Sequence, residues 1–454
     1  MKTPETLAAL LQVAEQHDIG YVRFLYCDNA GLIRGKGVPI AEVSTRAQAG
    51  VGCTLAMQAV TVLDGVAQVP EMGPVGEFRL LPDLDSFALL PVPGAASLFC
   101  DLLTPTLEQA WEACPRTFLK RMCRQLEEEG LQAQAGVEHE FVLARKDGPR
   151  YLPADDGPLF GTEGLNIHAS FIQTLLGALQ DHPHLSAALL HTEYGPGQLE
   201  LSTTPVEALR AADHICLVRE IVRSLASQAG LVASFAPKPF VEQMAGNGLH
   251  LHLSLWDQTC RNVFYDAQAK GGLSLLGRQF IGGVLSHLPG LVALTCGSVN
   301  SYARLAPHAW SSAYAVWGFD NREAAIRVPS LLSGRESASL NLELKCADHS
   351  GNPYLALGAL LAAGVDGIRH QMEPADPLAL DPGSLSEQER ERRGIRRLPT
   401  SLGQALDALE QDRVLMEALG PLLATSYLAV KRAEIACFQD MRPEEIALAL
   451  FTKY

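Results

Sequence analysis

The sequence predicts an α+β fold in two parts: a small N-terminal β-grasp-like domain, and a large C-terminal domain whose curved antiparallel sheet carries ligands on one face. Three observations predict it. The strings GVEHEF (136–141) and GNGLHLHLSL (246–255) set Glu138 with Glu140, and His250 with His252, one residue apart. Positions i and i+2 of an extended strand share a face, so each string delivers two side chains to one side of a sheet. Such segments alternate with long helical ones, FIQTLLGALQ, VEALRAADHICLVREIVRSLASQAG and LSLLGRQFIGGVLSHL, which is the pattern of strands backed by helices. The third observation is length, since 454 residues exceed one ordinary core.

The elements follow in order. The start, MKTPETLAALLQ, has no apolar signal core, and its Thr3-Pro4 pair reads as a helix cap with proline at the first helical position. IGYVRFLYCDNAGLIRGKGVPI (19–40) reads as a hairpin turning at Asp28-Asn29-Ala30-Gly31. Residues 51–100 add short strands between turns. TPTLEQAWEACPRTFLKRMCRQLEEEGL then reads as a linker entering a long amphipathic helix. This puts the domain boundary near residue 105, giving domains 1–105 and 106–454. The stretch 374–397, containing EQERERRGIRR, reads as a surface loop or exposed helix whose charges form a solvated face.

Composition narrows the function. An apolar content of 47% is that of a well-buried globular chain, and a net charge of −15 argues against a sequence-independent grip on nucleic acid. The ten cysteines are scattered without a CxxC pair, which suits a reducing compartment and argues against structural zinc. The longest strongly apolar run, Leu355 to Val365, is about half of the ~20 residues a bilayer span needs. The expectation is a cytoplasmic protein with no membrane or nucleic-acid partner.

Two further strings complete a donor set. HTEYGPGQLELS (191–202) adds Glu193 and Glu200 around a Gly-Pro-Gly turn, and LELK (342–345) adds Glu343. Carboxylates and imidazoles in this number suit two or three Mg²⁺ or Mn²⁺ ions, the equipment of phosphoryl transfer from a nucleotide. Taken singly, each motif has a plainer reading. E-x-E occurs on many solvated strands, H-x-H can be two core imidazoles, and Arg304, Arg322, Arg327 and Arg335 can be ordinary surface charges. Their order and spacing along the whole chain separate the readings.

That order resembles the glutamine synthetase family over nearly the full length. GVEHEF resembles its first metal strand, EYGPGQLE its second acidic pair, and GNGLHLHLSL its histidine strand. NSYARLAP (300–307) resembles its glutamate-binding segment, NREAAIRVP (321–329) its nucleotide-phosphate arginines, and LELKCADHSGNPYLALGALLAAGVDGI (342–368) its closing motif. YVRFLYCDNAGLIRGKGVPI and LLPDLDSFALLP extend the match into the small domain, and RRLPTSLGQALDALEQD (396–412) extends it to the C-terminal part. The resemblance implies one metal site from Glu140, Glu193 and Glu200 and another from Glu138, His250 and Glu343. It puts His252 and Ser254 at the ATP, Arg322 and Arg327 at its phosphates with Arg335 added, and Arg304 with the backbone at Gly246 on the glutamate. It also implies a homo-oligomer of stacked hexameric rings, a dodecamer, with active sites between subunits. The implied chemistry activates the γ-carboxylate of glutamate as an acyl phosphate, which an amine then displaces.

Three departures matter. The family carries an Asp-Gly-Ser-Ser-like segment whose aspartate serves a neighbouring subunit's ammonium site, and here GVGCTLAMQA (50–59) holds no acid. The family's flap glutamate, six residues after the glutamate-binding arginine, is replaced by Trp310. The arginine two residues after the last metal glutamate is Lys345. These make Trp310 and Lys345, with Arg304 and Arg322, the candidate catalytic set. Ammonium in a dry site needs carboxylates to hold it and take its proton, and two of the three losses fall there. The expected acceptor is therefore an organic amine, whose carbon skeleton or ammonium an aromatic flap receives. Two alternatives stand beside it. Ammonia remains the acceptor if Glu323 or Glu242 replaces the flap acid. A nucleotide-binding or structural relative without turnover results if Lys345 cannot replace the arginine fork. The tyrosine segment used for adenylylation in some bacterial members has no match near RRLPTSL, so that control is not expected.

Overall fold

The computed structural model describes residues 6–454; the expected Thr3-Pro4 cap lies outside them. Thr6 caps the first described helix, Leu7–Gln16, by accepting the Ala9 N–H at 3.2 Å. Leu10 and Ala14 of that helix enter a small N-terminal core with Val22, Phe24, Phe78 and Leu98.

The N-terminal sheet comprises β1 (Tyr21–Cys27), β2 (Ile33–Pro39), β3 (Val51–Thr54), β4 (Glu77–Pro82), β5 (Ala88–Leu89) and β6 (Ala95–Leu103), in the order β2-β1-β6-β4-β3 with β5 on β6. The β1–β2 hairpin turns where the sequence places it. Asp28 Oδ1 accepts the Leu32 N–H at 2.9 Å, and Gly31 takes a left-handed φ of 82°. Parallel pairing of β1 with β6, and the helix Ile40–Ala49 after β2, give the expected small α+β module.

The large sheet has nine strands: β7 (Leu131–Asp147), β8 (Arg150–Pro153), β9 (Ala187–Thr192), β10 (Gln198–Glu207), β11 (Val232–Ser234), β12 (Leu249–Asp257), β13 (Tyr314–Phe319), β14 (Ala324–Val328) and β15 (Leu342–Leu344). Its order is β13-β14-β15-β12-β7-β10-β9, with β8 and β11 also on β7. All pairs are antiparallel except β13 with β14 at the edge. The β10–β7 register slips between Thr203 and Val206, where Pro205 has no N–H for the ladder, and such slips bend a sheet.

Register aligns the motifs across strands. Glu200 stands opposite Glu140, His250 opposite Glu138, and Glu343 opposite both His252 and Arg327. The other face packs on helices Ala208–Gln228, Leu275–Thr295 and Pro353–Arg369, all rich in buried residues. His139, between the two acids of GVEHEF, points to that core. Fully buried and 5.4 Å from the His349 ring, it is held neutral by burial, its pKa lowered to about 3. Leu355 to Val365 lies inside the helix Pro353–Arg369, and no single helix among the described residues is long and apolar enough to cross a membrane.

Three helical segments meet at His287. Its Nδ1 lies 2.8 Å from Asp412 Oδ2 and its Nε2 3.1 Å from Asp366 Oδ2. Burial pulls the imidazole pKa down, but the two carboxylates outweigh burial and raise it above the ordinary value. A raised histidine stabilises fully below the unfolded value of about 6.5 and loses that contribution as pH rises through the folded value. His287→Gln is therefore expected to lower unfolding stability by about 1 kcal/mol at pH 6, and by progressively less at alkaline pH. Urea melts across that range check it; a deficit independent of pH would count against the protonated clamp.

The segment 374–397 departs in part from a purely solvated face. Glu389 pairs with Arg392 and Arg393 on the exposed helix Glu387–Arg392. Arg390 and Arg397, however, each lie 5.1 Å from the Tyr314 ring centroid, and Arg397 donates to the carbonyls of Ala313 and Leu305 at 2.9 and 3.0 Å. These two arginines clamp the segment that carries Trp310.

Candidate active site

Glu138, Glu140, Glu200, His250 and Glu343 share one face of β7, β10, β12 and β15, with Glu193 just past the end of β9. One ligand atom each from Glu138, Glu200 and His250 fall within 4.8 Å of one another. The same holds for Glu138, His252 and Glu343, and for His191, Glu193 and Glu200. Glu138 and Glu200 are each shared by two groups, which makes the site a chain of overlapping donor sets. Glu140 joins through His250, whose Nε2 is 3.5 Å from Glu140 Oε1.

The electrostatics are those of an anion cluster short of cations. Burial, then Glu140 and Glu200, push the Glu193 carboxyl up to about 7. Burial, with Glu138 and Glu140, also raises Glu200 despite its 3.2 Å contact with His191. His191 is raised to about 9, chiefly by its hydrogen bond to Glu200, and His252 to about 9, its burial outweighed by Glu138. Glu138 is held well below the usual range because His250 and His252 outweigh its burial. Glu343 is held at about 2, its burial outweighed by Lys345 and the two histidines. Hard oxygen donors, a few imidazoles and crowded like charge are what divalent cations of the Mg²⁺ and Mn²⁺ type require, so the residues fit such ions.

Lys345 and Arg327 stand at the edge of this cluster. Lys345 Nζ lies 3.3 Å from Glu343 Oε1, and Arg327 donates to Glu343 Oε2 at 2.7 Å. Ser254 continues the His250–His252 face of β12 and accepts from the Trp256 indole at 2.9 Å. Arg322 lies exposed in the β13–β14 turn and Arg335 exposed at the start of the short helix Glu336–Ser339. Neither contacts the cluster, so reach toward bound phosphates would come from side-chain motion.

The surroundings of Arg304 and Gly246 join this cluster through Gln198. Arg304 is buried and donates to the carbonyls of Ala347 and Lys345 at 2.7 and 3.4 Å, while its Nε has no partner among the described residues. Its stem lies on Gly246, where a Cβ would come within 2.4 Å of the Pro237 carbonyl and 2.9 Å of Arg304 Cγ. A Cβ on Gly248 would stand 2.7 Å from His250 Nε2, and its N–H donates to Glu140 Oε2 at 2.8 Å. The glycines of GNGLHLHLSL thus let backbone approach both Arg304 and the cluster closely.

The flap segment that carries Trp310 is tightly tied. His308, Trp310 and Ser312 all take left-handed φ values, 62°, 54° and 70°, each costing of order 1 kcal/mol or more in a non-glycine residue. Side chains hold this path. Ser311 donates to the Arg304 carbonyl at 2.5 Å, Ser312 to the Ala324 carbonyl at 2.7 Å, and Glu323 accepts the Trp310 N–H at 2.8 Å. The Trp310 ring itself is 59% exposed, as are Tyr194 (55%), next to Glu193, and Met244 (64%), two residues before Gly246. GVGCTLAMQA forms β3 and a short 3₁₀ turn, and Cys53 within it is buried in the N-terminal core.

Sequence reasoning missed several residues. His191 belongs with Glu193 by the same i, i+2 rule that picked out E-x-E, so its signal was present in HTE. Gln198 had none: its amide bridges Glu140 Oε2 at 3.3 Å, the Gly246 carbonyl at 2.9 Å and Asn247 Oδ1 at 3.0 Å, joining Gly246 to the cluster. Lys238 pins the loop before Gly246 through the carbonyls of Gln243, Met244 and Ala245. Asn341 orients His252 through Nδ1 at 2.9 Å.

Comparison with known proteins gives the family. A family model for the glutamine synthetase catalytic domain matches residues 112–449, and one for the glutamine synthetase N-terminal domain matches residues 7–113. A gamma-glutamylpolyamine synthetase, GlnA3, of Streptomyces coelicolor is 37% identical over 435 residues, covering 94% of this chain and 92% of that protein. A glutamine synthetase of Thermococcus kodakarensis is 35% identical over 417 residues, 90% of this chain and 89% of that one. A crystal structure described as a novel glutamine synthase homolog superposes with a TM-score of 0.86 at 33% identity, covering 96% of this chain and 99% of the other.

Proposed function

This chain belongs to the glutamine synthetase family of ATP-dependent carbon–nitrogen ligases, and on that premise we propose that it joins the γ-carboxylate of glutamate to a primary organic amine rather than to ammonia. One observation carries the acceptor. The donor cluster is complete, while the acceptor side presents the exposed Trp310 where an acid is expected and no acid in residues 50–59.

Residue roles follow from the geometry. Glu140, Glu193 and Glu200, and Glu138, His250 and Glu343, would hold two or three Mg²⁺ or Mn²⁺ ions, which when bound offset the charge of the phosphates. Arg304, whose Nε has no partner and which has no acidic partner among the described residues, binds a glutamate carboxylate against Gly246. His252 and Ser254 border the nucleotide, and Arg327, Arg322 and Arg335 meet its phosphates. With the γ-carboxylate in line, one carboxylate oxygen attacks the γ-phosphorus of ATP and ADP leaves. The amine gives up its ammonium proton to a carboxylate or water, and its neutral nitrogen attacks the acyl carbon. Phosphate departs with the bonding pair, and the remaining N–H proton passes to that phosphate. Lys345 neutralises Glu343 beside the transferring group, and the tied flap keeps water from the acyl phosphate.

Trp310, Tyr194 and Met244 offer apolar surface to the amine's carbon skeleton. Each buried methylene contributes about 0.8 kcal/mol, and a cation–π contact about 0.5–2 kcal/mol. Two methylenes and one such contact together favour an alkylamine over ammonia by more than tenfold. The relative named for polyamines puts long, multiply charged amines among the acceptors to try. The reading extends to a cytoplasmic homo-oligomer of stacked hexameric rings with active sites between subunits. ADP release with glutamate and a panel running from ammonia through alkylamines to polyamines tests it. At least one organic amine is expected to exceed ammonia tenfold in kcat/KM. Higher kcat/KM for ammonia than for every amine would establish an ordinary glutamine synthetase, and no ADP release with any acceptor would establish a relative without turnover.

A further inference from the structure

The flap holds a carboxylate that the reaction as described does not use. Glu323 precedes β14 and is only 7% exposed. One oxygen accepts the Trp310 N–H at 2.8 Å, and the other has no hydrogen-bond donor among the described residues. A buried carboxylate with a single N–H partner is far from compensated, because an ionised group removed from water needs a cation or several donors. Burial accordingly raises its pKa above the ordinary value, with Asp381 adding to the shift and the Trp310 N–H, His308 and Lys345 opposing it. Lys345 is committed to Glu343 and His308 to Asp381 at 2.6 Å, so neither serves as its ion-pair partner.

The position of Glu323 is as informative as its lack of a partner. Its chain neighbours are Arg322 and Ala324, the first residue of the strand that brings Arg327 to Glu343. Its hydrogen bond fixes the backbone of Trp310, the residue whose ring forms the apolar rim. The exposed ring of Trp310 and the carboxylate that holds its backbone therefore belong to one part of the flap, aromatic surface together with unmatched negative charge. Glu242, the other acid near the acceptor side, is exposed and solvated, so it offers an ammonium far less in exchange for lost hydration.

We propose that Glu323 is the acceptor-specifying carboxylate of this enzyme: its free oxygen receives the ammonium group of the incoming amine, while its bonded oxygen latches Trp310 over the carbon skeleton. The assignment rests on the amine-ligase reading above. It makes one residue responsible for both halves of amine recognition, charge and shape.

Glu323→Gln tests it, because the amide oxygen still accepts the Trp310 N–H and only the charge is lost. With the best amine of the panel, Glu323→Gln is expected to raise that amine's KM at least tenfold, with KM for glutamate and ATP within twofold of wild type. Glu323→Asp, which restores the charge on a shorter stem, is expected to recover most of the loss. An amine KM within twofold of wild type in Glu323→Gln would overturn the proposal, as would an equal rise in the KM of glutamate and ATP. The two readings fail separately. If wild type prefers ammonia, the organic-amine reading falls, and a tenfold rise in ammonia's KM in Glu323→Gln still supports ammonium capture by Glu323.

Discussion

Glu200→Ala is expected to lower kcat by at least ~100-fold, since even residues that merely support metal ligands cost 10–100-fold when removed. Glu200 is the strongest choice because it belongs to two donor groups, one with Glu138 and His250 and one with His191 and Glu193. Its loss strips an oxygen and a charge from both. The effect on stability separates this from simple unfolding. Without divalent ions Glu140 and Glu200 add to the burial that raises Glu193, so relief of that repulsion offsets the lost Glu200–His191 contact at 3.2 Å and the ion-free variant stays close to wild type in stability. Saturating Mg²⁺ at 100 times its Kd stabilises wild type by about 2.7 kcal/mol. The variant is expected to lose most of that increment, measured as the Mg²⁺-induced rise in Tm. An equal Mg²⁺ shift in both proteins, with intact Mg²⁺-dependent ATP binding, would remove the metal assignment. Glu140→Ala should behave alike, and it also frees the Gly248 N–H and the Gln198 amide that Glu140 now accepts.

What the sequence made legible is what has a short period. The i, i+2 spacing of E-x-E and H-x-H fixes which side chains share a face, so Glu138, Glu140, His250 and His252 could be grouped without coordinates. The hairpin at Asp28–Gly31 was legible because turn chemistry is local, an Asx side chain with a left-handed glycine. Register between strands distant in the chain was not. That Glu343 stands opposite both His252 and Arg327 depends on three strands pairing across more than 90 residues of chain. His191 is a different case, since HTE carries the same i, i+2 spacing as E-x-E and so holds a local signal.

The flap shows the harder limit. Trp310 stood out by position, but Glu323 holds it through backbone N–H to carboxylate, a contact that leaves no pattern in sequence. Arg390 and Arg397 read as two more charges in a basic-acidic run, yet their guanidinium groups lie over the Tyr314 ring, and those of Arg392 and Arg393 pair with a neighbour on the same turn. Charge alone does not distinguish the two fates; what lies across the gap does.

Arg304→Lys is expected to raise the KM for glutamate by ~10–100-fold, the range of one charged hydrogen-bonding partner at about 1.5–3 kcal/mol, with ATP binding within twofold of wild type. The guanidinium is fixed before any ligand arrives. Two of its contacts go to the carbonyls of Ala347 and Lys345, its stem packs on Gly246, and its Nε has no protein partner among the described residues. A buried cation held by carbonyls alone is incompletely compensated, and a carboxylate completes it. Lysine keeps the charge but presents a single rotatable ammonium rather than a planar fork, so it cannot satisfy those carbonyls and a carboxylate together. Gly246→Ala should move glutamate KM in the same direction, because its Cβ would displace the arginine stem or the Pro237 carbonyl. A glutamate KM unaltered in Arg304→Lys would mean that the acid binds elsewhere and that Arg304 only supports the Lys345–Ala347 backbone. Equal losses of glutamate and ATP binding would mean instead that the arginine holds the two binding sites together.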